Sequence, residues 1–112
     1  MPVLTGALAY QQAARHRGTR EQEADVFRRV NAALHSAGDD RMAQARAMAD
    51  NGRLWLAVMD AMRDPANGLP APLRASVVSV GLAVQREAAA PHPDLGFITG
   101  INEQIAAGLS GG

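Results

Sequence analysis

From Met42 to Met62 apolar residues recur at three- and four-residue spacings without losing phase. Met42, Ala45, Ala49, Leu56 and Met59 fall on one side, with Met48, Trp55 and Met62 beside them. A period of 3.6 residues held this long is incompatible with a strand, and it demands packing partners along the run. Asn51-Gly52 interrupts the run, and glycine costs about 1 kcal/mol relative to alanine inside a helix. The apolar phase continues past it, so one helix is expected over residues 40–62, with room for a bend.

The rest of the chain favours the same choice. Alanine, the best helix former, fills 23 of 112 positions, and β-branched residues are few. The length suits one domain, residues 1–112, and the 47% hydrophobic fraction can fill one modest core. The absence of cysteine excludes a disulfide framework and a thiolate site. No run approaches the length of a membrane span, and the N-terminus has no signal-peptide pattern. A cytoplasmic protein without membrane insertion is expected. Net charge is zero; all eleven basic residues are arginine and only Arg28-Arg29 are adjacent. Such a distribution gives no electrostatic footprint for nucleic acid, so direct binding to it is not expected.

Local signals divide the chain into about five helices. Leu4, Ala7, Leu8 and Ala14, with Tyr10 nearby, outline a first helix to about His16, broken by Arg17-Gly18. Thr19-Arg20-Glu21-Gln22 fits a capping box, with Glu21 and Glu23 at the positive end of the helix dipole. Phe27, Val30 and Leu34 follow as a stripe, widened by Val26, Ala33 and Ala37, and Gly38 suits a left-handed C-terminal position. Asp39 or Asp40 can cap the long helix. Asp64 to Pro72 reads as an ordered loop, and Pro72 suits the first turn of the next helix. Val77-Val78-Ser79-Val80 alone resembles a strand, but its flanks continue the helical face of Leu73, Val77, Val80 and Val84. Pro91-His92-Pro93 ends that helix. Asp94 can cap the last one, striped by Leu95, Ile98, Ile101, Ile105 and Leu109, with residues 110–112 as a frayed tail. Short connections between successive helices give an all-α, small antiparallel bundle.

No pattern points to an enzyme. His16, His35 and His92 lie apart, without the i, i+4 spacing of helical metal ligands, so neither a metal nor a cofactor is expected. Asp39-Asp40 is a helix start before it is a catalytic pair. Ser36, Ser76 and Ser79 lack a nucleophile-elbow setting, and no phosphate-binding loop occurs. What remains is binding. Trp55 fits either a core anchor against the helix from Leu73 or a binding hot spot. Met48, Met59 and Met62 fit either gap-filling or an adaptable surface for a partner helix. Arg53 can stay solvated, pair with Asp50 or Asp60, or hold the Pro65–Pro70 loop. Asn102, inside an apolar stripe, is expected to bond nearby backbone. Met48, Arg53, Trp55, Met59 and Met62 are therefore the candidate partner contacts. Asn51, Leu54, Pro65, Pro70 and Asn102 are the candidate structural residues.

Three segments carry a resemblance. Asn51-Gly52-Arg53-Leu54-Trp55 is followed by a proline turn and by Leu69-Pro70-x-x-Leu73-Arg74 opening a helix. The chain ends in Ile101-Asn102-x-x-Ile105-x-x-Gly108-Leu109. Its first half has Leu8-Ala9-Tyr10 and then Glu23, Phe27, Val30 and Leu34 at matching spacing. The whole resembles the FlaF family of alphaproteobacterial flagellar regulators, from about Leu8 to Leu109. Gly52 and the small Gly81-Leu82-Ala83-Val84 stretch depart from the bulkier residues expected there, which bears on local packing. The resemblance implies a cytoplasmic helical protein that binds flagellin as a secretion chaperone for flagellar type III export and promotes flagellin synthesis. The terminal segments of flagellin are amphipathic helices that self-associate if uncovered, and a helix-in-groove binder could cover one. The alternative implied is a post-transcriptional regulator acting through FlbT or flagellin mRNA, without an export role.

Overall fold

The computed structural model describes the backbone of residues 2–111 and the side-chain surroundings of residues 18–111. Four helices follow one another: α1 (Pro2–Ser36), α2 (Arg41–Arg63), α3 (Ala71–Ala88) and α4 (Leu95–Gly111). No strand occurs among the described residues. The expected five helices are thus four, because Arg17-Gly18 does not break the chain and α1 runs unbroken for 35 residues. One glycine costs only about 1 kcal/mol, and starting a second helix would forfeit several backbone hydrogen bonds. The Thr19–Gln22 capping box is consequently not used; Thr19 lies inside α1. The side chains of Leu4, Ala7, Leu8, Tyr10, Ala14 and His16 lie outside the described residues.

The other boundaries follow the local signals. Gly38 adopts φ 51° after α1, the left-handed value that glycine takes without strain. Asp40 caps α2, its Oδ1 accepting from the Ala43 amide at 3.1 Å. In the loop before α3, Asn67 donates to the Ala61 carbonyl at 2.8 Å and accepts from the Leu69 amide at 2.9 Å. Arg74 then ties loop to helix, donating to the carbonyls of Leu69 at 3.0 Å and Met62 at 3.2 Å. Arg74, not Arg53, holds the loop. Pro65 and Pro70 are exposed within it, and Pro72 lies in the first turn of α3. Asp94 caps α4 through the Phe97 amide at 3.0 Å. Helix α4 continues past the expected start of the tail: Ser110 donates to Ala106 O at 3.0 Å and accepts from Arg28 at 2.6 Å.

Helix α4 lies back along α1, and α3 lies back along α2. The core forms from Ala24, Phe27 and Leu34 of α1, Ala47, Trp55 and Met59 of α2, Val84 of α3, and Ile98 and Ala106 of α4. The buried line of α2 runs Ala47, Asn51, Trp55, Met59. Of the apolar side that carries Met42, Ala45, Ala49, Leu56 and Met59, the first four are exposed and only Met59 is buried. Gly81 sets the approach of α3, since a Cβ there would stand 2.7 Å from Met59 Cγ and Sδ and 3.1 Å from Trp55 Cε3. Both neighbours are enclosed, so added volume has nowhere to go.

Gly81→Val should therefore destabilise the fold by about 1–3 kcal/mol, the usual range for overpacking. Gly18→Ala meets nothing within 4 Å in the middle of α1 and should stabilise it by about 1 kcal/mol or less. Thermal melts of the two variants check the pair; a Gly81→Val melt equal to that of the parent would contradict the close approach.

The buried polar junction and the outer face of α2 and α3

Three asparagines, one each from α1, α2 and α4, meet under the indole of Trp55. Trp55 Nε1 donates to Asn102 Oδ1 at 2.9 Å. The Asn102 amide group donates twice, to Asn31 Oδ1 at 2.9 Å and to Asn51 Oδ1 at 2.8 Å. Asn31 Nδ2 in turn donates to the Thr99 carbonyl at 2.8 Å. All three asparagines are buried, and Asn51 and Asn102 are fully so. Asn51 Nδ2 has no partner, so both of its N–H donors stay unpaired within the junction. Phe27 meets the other side of the indole edge-on, with ring centres 5.6 Å apart and planes at 75°.

Local helix geometry brings these groups together. Asn51 and Trp55 are four residues apart, so they sit one above the other on α2. Asn31 stands between Phe27 and Leu34 on the buried stripe of α1. Asn102 lies between Ile98 and Ala106 on that of α4. Asn102 bonds across the bundle to side chains of α1 and α2 rather than to nearby backbone. Asn31 was not singled out from the sequence. Its signal is the one that Asn102 carries: an asparagine in register with an apolar stripe.

The five candidate partner residues separate by burial. Trp55 and Met59 are enclosed, with 0% and 2% exposure, and present no surface. Met48 and Met62 are half-buried. Arg53 is exposed and bonded to Asp50 at 2.7 Å. Leu54 packs partly buried against the core.

The apolar surface that stays open lies one stripe further round. Met42 is 68% exposed, Leu56 54% and Leu82 46%. Ala45 and Ala49 extend the stripe on α2, and Ala75 and half-buried Val78 extend the one on α3. The two stripes flank one seam. At its floor Gln85 Nε2 donates to the Gly52 carbonyl at 3.2 Å, and a Cβ on Gly52 would still clear Gln85 Oε1 by 3.8 Å. Successive residues turn by about 100°, so Met42, Ala49 and Leu56 emerge on the solvent side of Gly52. Val78 and Leu82 emerge on the solvent side of Gln85 by the same rule. The contacts of Gln85 with Gly52 and of Gly81 with Met59 and Trp55 set α3 antiparallel to α2, so Val78 and Leu82 lie beside Leu56, while Met42 and Ala45 lie beyond the end of α3.

Elsewhere large apolar side chains also reach solvent: Leu69 is 43% exposed, Leu73 48% and Phe97 42%. Two clefts along α1 share Arg28 and Ala32, and one reaches the pair of His35 Nε2 and Glu103 Oε1 at 3.6 Å. Among the described residues no three histidines or acidic residues are placed to hold a metal. No described helix is long and apolar enough to cross a membrane.

A family model described as flagellar protein FlaF matches residues 7–109 of the chain. No curated protein and no solved structure matches it. The matched span contains all three asparagines, Trp55, the proline loop and both exposed stripes.

Replacing Asn102 by leucine strands the Trp55 indole N–H and the side-chain carbonyls of Asn31 and Asn51. Each buried polar group left unpaired costs about 1–3 kcal/mol, so Asn102→Leu should lose about 3 kcal/mol or more. Urea unfolding checks this, and a loss under about 1 kcal/mol would show that the junction contributes little.

Proposed function

The chain belongs to the FlaF family of flagellar proteins, and from that premise we propose that it is a cytoplasmic secretion chaperone for flagellin that also promotes flagellin synthesis. It acts by helix-in-groove binding, without catalysis and without a cofactor. The observation that carries this reading is the apolar face of α2 and α3 left uncovered in so small a chain. Most single exposed apolar residues need no explanation, but stripes in phase on two adjacent helices form a continuous patch. An amphipathic segment of flagellin, left bare before export, has the complementary shape. Laid along the α2–α3 seam, it would bury its apolar side and lose its capacity to self-associate.

The reading separates surface from scaffold. Trp55, Met59 and the asparagines hold the helices at the spacing that forms the seam. Met42, Leu56, Val78 and Leu82 would touch the partner. The effect on synthesis then follows from binding, since a chaperone that retains flagellin changes how much is free to act on its own production. Any link to FlbT would be a protein contact; a neutral chain without a basic cluster offers little for direct mRNA binding.

Gel filtration of the purified chain with flagellin, both at micromolar concentration, tests the reading. Co-elution as a stable complex is the expected result. Separate elution of the two proteins would remove flagellin as the partner and leave regulation through FlbT as the surviving account.

A further inference from the structure

Two of the four asparagines, Asn51 and Asn67, precede glycine. Such a pair is the sequence most open to attack by the backbone on the asparagine side chain, because glycine puts no β-carbon beside its own amide nitrogen. The fold treats the two pairs oppositely. Asn51 is fully buried in α2, its Oδ1 accepts from Asn102, and the Gly52 amide belongs to the hydrogen-bond ladder of the helix. Asn67 lies in the loop between α2 and α3, where neither it nor Gly68 is helical. Gly68 is exposed, and a Cβ on it would meet nothing within 4 Å. Its amide makes no backbone hydrogen bond among the described residues.

The loop also prepares Asn67 for reaction. Its Oδ1 accepts from the Leu69 amide at 2.9 Å, and its Nδ2 donates to the Ala61 carbonyl at 2.8 Å. A turn closed on Leu69 wraps the side chain around the intervening Gly68 nitrogen, so little further ordering is needed. The bond to Oδ1 draws electrons from Cγ and is in place for negative charge on that oxygen, as donors are in an oxyanion hole. The bond from Nδ2 enriches the nitrogen that has to leave.

We propose that Asn67 is a site of spontaneous deamidation in the folded protein, and that the fold shields Asn51 from the same reaction. The Gly68 nitrogen gives up its proton and forms a bond to Asn67 Cγ. The Cγ–Nδ2 bond breaks, and Nδ2 takes up a proton and leaves as ammonia. The resulting five-membered succinimide adds one water from solvent. Opening at the side-chain carbonyl gives aspartate; opening at the main-chain carbonyl gives isoaspartate, with the backbone running through Cγ. Either product adds a negative charge to a neutral chain and cannot donate to Ala61. Isoaspartate also lengthens the backbone, so the turn to Leu69 is lost. The loop then depends more heavily on Arg74, which bonds the Met62 and Leu69 carbonyls.

The test incubates the full chain at mildly alkaline pH, folded and in urea, and then cleaves it with trypsin. Cleavage after arginine puts Asn51 in the peptide 47–53 and Asn67 in the peptide 64–74, each as its only asparagine. Conversion is read from the mass gained when amide becomes acid, and isoaspartate from methylation by an isoaspartyl methyltransferase. In the folded chain Asn67 should convert about tenfold or more faster than Asn51, which is released only by unfolding. In urea the two should convert at similar rates. Isoaspartate should be the main product, since the main-chain carbonyl of the succinimide is the more electrophilic. Gly68→Ala should slow conversion at Asn67 about tenfold or more by crowding the attacking nitrogen. Alanine has open space there and no positive φ to adopt, so the melting temperature should not change. The same slowing is expected in urea, where folding plays no part. Asn67 that converts about tenfold or more slowly in the folded chain than in urea overturns the proposal, because the loop then protects it. Asn51 converting as fast as Asn67 in the folded chain overturns it too, as does a Gly68→Ala chain that converts at the parent rate. Conversion to aspartate without isoaspartate also overturns it, since that marks direct hydrolysis by water in place of the succinimide.

Discussion

The hydrogen bond from the Trp55 indole to Asn102 ties α2 to α4, and the arrangement of the bundle hangs on it. Asn102 can do this because an asparagine offers both acceptor and donors in one plane. Its oxygen is used by Trp55 and its nitrogen by Asn31 and Asn51. In a dry interior an unmade bond of this kind is expensive, whereas an apolar contact tolerates sliding. The junction therefore discriminates between registers more sharply than the surrounding alanines and valines can. Rotating or shifting α1, α2 or α4 by one residue would strand several buried amides at once.

That discrimination explains why α2 faces the way it does. Its sequence offers two adjacent apolar stripes, Met42–Ala45–Ala49–Leu56 and Ala47–Trp55–Met59. Hydrophobicity alone favours the first about as well as the second, because alanine buries little area in either. Asn51 and Trp55 belong to the second and find their partners only inside the bundle. Gly81 then admits Met59 and Trp55 against the backbone of α3. With the second stripe committed to the core, the first is turned to solvent beside its counterpart on α3. The exposed stripe of α2 is a by-product of the polar junction, placed by the same rotation of the helix.

Much of this architecture was legible in the sequence. Asp40, Gly38, Pro72, Pro91 and Asp94 mark helix ends by local chemistry, and the ends fall there. The helical reading of Val77-Val78-Ser79-Val80 held because its apolar face continued on both sides. Two features were not legible. Gly18 carries the signature of a break, but a glycine is only a small penalty within a helix that is otherwise well formed. The rotation of α2 is not fixed by its apolar residues, because the buried line passes through an asparagine. An asparagine within a stripe reads as an interruption until its partners on other helices are known, and Asn31 and Asn102 lie 71 residues apart. The candidate contacts shifted accordingly: Trp55 and Met59 were drawn inward, and Leu56 and Leu82 took their place at the surface.

The two segments that carry the family resemblance most strongly now have a common cause. Asn51 to Trp55 and Ile101 to Leu109 are remote in sequence, and Trp55 and Asn102, 47 residues apart, close one hydrogen bond between them. A chain that keeps one half without the other would bury an unpaired indole N–H or an unpaired amide. The motif is therefore a statement about architecture. Met42, Leu56, Leu82 and Arg86 touch none of the junction's bonds. Their side chains can change without breaking the bonds by which Trp55, Asn31, Asn51 and Asn102 hold the helices together.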